Sequence, residues 1–131
     1  MRRYAFLLLL LFLTVTVISC VKKPEPEPLP PLIGEVTELA DQFMALLLAG
    51  DYAGATDYFD ATYKKEMPTE KLAAAWLALL EEAGEYRGEI GKQVESEPDY
   101  EIVMLIAEFE NTMLDIQLKF NSDNRIVGLL F

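Results

Sequence analysis

The chain of 131 residues carries 22 acidic and 11 basic side chains, one cysteine and no histidine, for a formal net charge of −11. That length suits one domain rather than two, and the missing histidine removes the commonest general base and metal ligand. Serine occurs only at Ser19, Ser96 and Ser122, so a Ser-His-Asp site cannot be built. The acidic balance repels a phosphate backbone, and no nucleic-acid partner is expected.

Arg2 and Arg3 open the chain, and an apolar run from Tyr4 to Leu13 continues through Val15, Val17 and Ile18. A short positive start before a short apolar core is the pattern of a secretory signal peptide, here residues 1–19. A membrane span needs about 20 consecutive apolar residues, more than this run supplies before Cys20. The segment Val17-Ile18-Ser19-Cys20 resembles the bacterial lipobox. The resemblance implies a diacylglyceryl group on the Cys20 thiol and cleavage between Ser19 and Cys20. The expected location is therefore the bacterial cell envelope, membrane-anchored through lipid on Cys20, with the choice of membrane left open. A lone cysteine fits this reading, since it has no partner for an internal disulfide.

Residues 20–32 form a stalk, with Pro24, Pro26, Pro28, Pro30 and Pro31 excluding helix and central strand. An extended spacer of this kind runs at about 3 Å per residue. Lys22 and Lys23 sit beside the lipid, where each cation is worth about 1 kcal/mol against anionic headgroups.

The folded part, residues 33–131, is helical first. Val36, Leu39, Ala40, Phe43, Leu46 and Leu47 repeat at three and four, which predicts an amphipathic helix that Gly50 ends. Asp51 caps a second, short helix with Tyr52, Ala55, Tyr58 and Phe59 on its apolar side. Met67-Pro68-Thr69 opens a third, with Leu72, Trp76, Leu79 and Ala83 on one face and Gly84 as its stop. Strand signals follow: Tyr86 to Val94, interrupted by Gly88 and Gly91 as bend or bulge, then Tyr100 to Phe109, apolar on both faces and hence central and covered. Leu114 to Phe120 alternates cleanly, and Ile126 to Phe131 comes last. Helices first and a meander afterwards predicts an α+β fold, three N-terminal helices on an antiparallel sheet of about four strands.

That order resembles the nuclear-transport-factor-two-like, or cystatin-like, cone fold. Ala49-Gly50-Asp51-Tyr52, Tyr58-Phe59-Asp60, the Trp76 helix ending at Gly84 and the closing Ile126-Val127-Gly128-Leu129 look like one bacterial branch, domain of unknown function 3887. The resemblance spans about Glu35 to Phe131. Members of that branch occur alone or ahead of an α/β-hydrolase, and no hydrolase chemistry is expected of a sequence ending at Phe131. The cone implies a curled sheet with a cavity at its open end. Tyr58, Phe59, Tyr63, Trp76, Tyr86 and Met104 are the candidates for lining it, or else they fill the core as helical aromatic stripes usually do.

Catalytic candidates are few. Asp57 or Asp60 with Tyr63 or Tyr86 is the best carboxylate–tyrosine pair, since a buried carboxylate with a raised pKa serves as a base; aspartates near helix ends otherwise cap or face solvent. Glu95, Glu97, Asp99 and Glu101 cluster around Pro98 without the spacing of a calcium loop, and Lys64, Lys65 and Lys71 form the one basic patch. No metal site and no cofactor is expected, and no phosphate-cradling loop occurs. The leading expectation is a tethered, non-catalytic domain that binds a small apolar ligand, a peptide or an envelope protein. Its rivals are a homodimeric scaffold pairing through an apolar sheet face (Val103, Leu105 and Ala107 beside Ile102, Met104 and Ile106) and a small isomerase or dehydratase.

Overall fold

A computed structural model describes residues 26–131; the leader, Cys20 and the first part of the stalk lie outside the described residues. Helix α1, Val36–Leu48, buries the stripe Val36, Leu39, Ala40, Phe43, Met44 and Leu47, the spacing that turns one helical face inward. Asp51 accepts from the Gly54 amide at 2.9 Å and so caps α2, Tyr52–Thr56. The chain then leaves the helix. Phe59 forms an isolated parallel bridge with Ile126, and Asp60 caps a further helix, α3, Ala61–Glu66, by accepting from the Tyr63 amide at 2.6 Å. The expected second helix reaching Phe59 thus stops at Thr56, and α3 is an additional helix in a stretch expected to carry none, so the described residues hold four helices rather than three. The bridge is the reason: Phe59 is spent on pairing with a strand 67 positions away, which no local pattern announces.

Helix α4, Thr69–Ala83, starts directly after Pro68 and buries Leu72, Trp76 and Ala83. Gly84 ends it at φ +84, and a β-carbon there would lie 2.7 Å from Glu110 Cβ. Only glycine suits both the positive φ and the close approach. The turn feeds β1, Tyr86–Ser96.

Strands β1, β2 (Glu101–Phe109), β3 (Met113–Phe120) and β4 (Ile126–Leu130) form an antiparallel meander in the order β1-β2-β3-β4. Register shifts fall between Tyr86 and Gly88 and between Glu89 and Gly91, where the sequence places its bend. The sheet is open, with β1 and β4 as edges, and the curled closure implied by a cone is not seen. Alternation sorts β2 and β3 into two faces. Val103, Leu105, Ala107 and Phe109 join Ile116, Leu118 and Phe120 in the core beneath the helices. Ile102, Met104 and Ile106 point the other way and are only half-buried. Strand β2 is central as expected, but its second face is not covered by a helix. For the same reason Val103, Leu105 and Ala107 do not belong to the outer surface.

Hydrogen bonding carries the folded unit back into the stalk. The Leu32 amide donates to the Asp123 carbonyl at 2.8 Å, and Arg125 Nε donates to the Pro30 carbonyl at 2.8 Å. No helix among the described residues is long and apolar enough to cross a membrane.

Candidate functional site

The six aromatic and methionine candidates do not share one space. Phe59 and Trp76 are fully buried and belong to a continuous aromatic interior. Phe43 lies 5.8 Å from Phe59, Phe59 4.8 Å from Tyr63, Trp76 6.1 Å from Phe109, and Tyr86 5.5 Å from Phe109. These centroid separations are those of packed ring pairs, so the volume between helices and sheet is filled at those positions. Tyr58 is half-buried and donates its hydroxyl to Gln42 Oε1 at 2.8 Å. Met104 stands on the opposite face of the sheet, away from the other five. Ser19 and Cys20 lie outside the described residues.

Asp57 is exposed and pairs with Lys64 at 2.9 Å, while Asp60 holds the first turn of α3. Each carboxylate thus has a structural task, and Asp57 is not buried with a tyrosine. Both candidate phenols titrate above their ordinary value. Burial raises Tyr63, with the Leu129 backbone pulling the other way and Glu66 adding to the rise. Burial also raises Tyr86, helped by the negative charges of Glu89 and Asp41 against Lys92.

An ionic cluster between α1 and β1 escapes the sequence reading. Lys92 Nζ lies 2.5 Å from Asp41 Oδ1 and 3.5 Å from Glu89 Oε1. Burial lowers the Lys92 pKa, but the hydrogen bond and charge of Asp41, with Glu89, outweigh it and the net shift is upward. The signal was faint: Lys92 pairs with Leu105 and so shares the helix-facing side of the sheet, but reading that required the bulged register. Among the described residues no group of three or more cysteine, aspartate or glutamate side chains is placed to hold a metal ion.

A mostly apolar depression lies on the outer face and runs over the β4 edge. A groove of about 430 Å³ is lined by Ile102, Gln117, Lys119, Gly128 and Leu130, with Leu129 and Tyr63 where it turns the edge. Register explains the assembly, since Ile102 is opposite Lys119, Lys119 is opposite Gly128, and Gln117 is opposite Leu130. Gly128 leaves the floor open, for a β-carbon there would touch Lys119 Cβ at 3.4 Å. Lys119 has no carboxylate within 4 Å among the described residues; its ammonium instead lies 4.1 Å from the centroid of the Tyr100 ring, a cation–π contact. Tyr63 is the one candidate from the sequence that borders this groove.

A helical layer on one face of an open antiparallel meander, with half-buried apolar residues on the other face, defines an α+β domain; besides the groove over β4, a depression of about 440 Å³ opens between α4 and the sheet, lined by Leu79, Ala83, Asn111, Leu114 and Phe131. The family model described as "Protein of unknown function (DUF3887)" matches residues 40–129. That is more than half of the sequence, and the chain belongs to this family. No curated protein and no solved structure gives a significant match.

Proposed function

We propose that this protein is an exported lipoprotein, held in the cell envelope by acyl chains on Cys20, whose single head is a non-catalytic binding domain. Its ligand is a small amphiphile, an apolar chain with one anionic end, received in the groove over the β4 edge. The groove carries the proposal: Ile102, Gly128, Leu129 and Leu130 supply an apolar bed, and Lys119 stands in it without an acidic partner among the described residues. Its volume of about 430 Å³ falls within the range of small-molecule sites, and a mostly apolar lining with a few placed polar groups is their usual character. In so acidic a chain, a cation that meets an aromatic ring rather than a carboxylate favours an anion over a neutral ligand. We also infer kinship with the cystatin-like cones, supported by the order of helices before an antiparallel meander and by the resemblance of the glycine-linked motifs.

A thermal-shift titration tests the binding reading, with dodecanoate and dodecanol as probes below their aggregation limits. Dodecanoate at 100 Kd should add about 2.7 kcal/mol of stability, dodecanol less, and Lys119→Met should erase the difference. Absence of a shift with either probe overturns the ligand class. The tether is tested separately by mass spectrometry of the protein from its native membrane. An intact leader, or an unmodified Cys20 thiol, overturns the anchor.

The same outer face favours a second reading, a homodimer. Leu130 and Met113 are 64% and 63% exposed beside the Ile102–Met104–Ile106 stripe, and a second copy laid on this face would bury them. Light scattering that finds only monomer at high concentration removes that reading.

A further inference from the structure

We propose that the domain carries a docking site for an extended, proline-rich segment, and that the chain's own stalk, from Pro30 to Gly34, fills it. Prolines lack an amide N–H, so a Pro-Pro segment offers carbonyl acceptors and little else. A receptor for such a segment must be a set of donors. Arg125 is that set. Its guanidinium has five N–H groups and no acceptor; the residue is 7% exposed and has no carboxylate within 4 Å among the described residues. Nε donates to the Pro30 carbonyl at 2.8 Å, and one Nη donates to the carbonyls of Asp57 at 2.8 Å and Phe59 at 3.3 Å. One side chain therefore joins the stalk to the link between α2 and α3.

The rest of the segment is read in the same way. Asn124 Nδ2 donates to the carbonyls of Leu32 at 3.2 Å and Gly34 at 3.1 Å. The Leu32 amide, the first after two prolines, donates to the Asp123 carbonyl at 2.8 Å. The turn that presents these groups is built without the stalk. Asn121 Oδ1 accepts from the amides of Asp123 and Arg125, both at 3.0 Å, and Asn124 takes a left-handed φ of +58. The backbone of the turn thus holds itself without the stalk, and a buried guanidinium without a counter-ion is costly unless its donors are filled. Upstream of Pro30 the stalk stands off the domain, with Pro26, Pro28 and Leu29 bordering a depression of about 290 Å³ whose other side is Asp60, Ala61, Thr62 and Asn121.

Docking sets the reach of the tether, a consequence that rests on the lipid-anchor reading although the docking itself does not. With Pro30 held, only the ten residues from Cys20 to Leu29 are left to span from anchor to head, at most about 30 Å at about 3.1 Å per residue. Released as far as Gly34, the same tether extends about 45 Å. Docking therefore shortens the greatest span of the tether by about 15 Å, five residues at about 3.1 Å each.

Amide hydrogen exchange on the full chain in detergent micelles tests the proposal. In the unaltered protein the Leu32 amide should exchange at least about tenfold more slowly than that of Ile33, which is 97% exposed. Arg125→Lys keeps the charge but loses the fork, and should erase most of that protection. Should Arg125→Lys fail to fold, Asn124→Gly decides the matter, because glycine accepts the left-handed φ and removes only the two side-chain donors to the stalk. Its expected signature is an approximately tenfold faster exchange at Leu32 with the amides of Ile116 and Leu118 unchanged. Equal exchange at Leu32 and Ile33 in the unaltered chain, or unchanged Leu32 protection in Asn124→Gly, overturns the docking site.

Discussion

Replacing Asp60 by alanine removes the oxygen that accepts from the Tyr63 amide at 2.6 Å and leaves the first turn of α3 without a side-chain cap. That helix is six residues long, far below the length at which a helix is stable alone, so its existence depends on its cap and its contacts. A lost cap costs about 1 kcal/mol, within roughly 0.5–2, and the lost negative charge at a helix start adds about 0.3–1. The sum for Asp60→Ala is about 1–2 kcal/mol, or a fall in Tm of about 5–12 °C at the usual 4–8 °C per kcal/mol for a small domain. Asp60→Asn keeps a carbonyl oxygen in the capping position and loses only the charge, about 0.3–1 kcal/mol, so its Tm should fall by about 1–8 °C and by less than that of Asp60→Ala. Differential scanning calorimetry of the two variants measures both. The reasoning is refuted when asparagine costs as much as alanine, or when alanine costs nothing. A catalytic Asp60 would reverse the order in turnover, because asparagine then abolishes activity in a protein that remains folded.

Two further outcomes follow from the interior and from its ionic edge. Trp76→Ala and Phe59→Ala should each cost about 3–5 kcal/mol in urea unfolding, since both side chains are fully buried; a loss under about 1 kcal/mol would place them at an open cavity instead. At alkaline pH the folded state holds the Lys92 proton more tightly than the unfolded chain does, because the pKa is raised above its ordinary 10.5. The stability this confers is therefore complete below that value and is lost as pH rises through the raised one. Tyr63, raised above 10.0, acts in the same direction. Unfolding midpoints should decline across that alkaline range, less steeply in Lys92→Met and in Tyr63→Phe; identical slopes in all three proteins would contradict the assignment.

Much of the fold was legible because it is written in local periodicity. The α1 stripe, the Asp51 cap, the stop at Gly84 and the clean alternation from Leu114 to Phe120 are each decided by residues within a few positions of one another. What stayed hidden depends on distant partners. Helix α3 offers only Ala61 and Tyr63 as apolar residues, two positions apart, and so makes no helical stripe; its cap, Asp60, was visible as an aspartate but not as a helix start until Phe59 had met Ile126. Met104 was grouped with the aromatics because a strand apolar on both faces does not say which parity faces the helices. Arg125 drew no attention, for an arginine after a polar turn reads as exposed, and its burial follows from a stalk bonded to it from 95 positions away.

Adjacent residues on β2 put the outer site to its hardest test. Val103 is fully buried, and an aspartate there places a charge in apolar surroundings at several kcal/mol. That is a large part of the roughly 5–15 kcal/mol that holds a domain together, so Val103→Asp should lose its fold. Ile102 is half-buried on the other face, and its replacement forfeits about half of the 1.5–3 kcal/mol of a buried isoleucine. Ile102→Asp should therefore keep a native circular-dichroism spectrum and melt within a few degrees of the parent. Its new carboxylate stands across the pair from Lys119, neutralises the one cation of the groove and repels an incoming anion. The dodecanoate shift should vanish while the fold survives. Should Ile102→Asp unfold like its neighbour, the outer face is part of the stabilising core; should it fold and still bind, the ligand sits elsewhere.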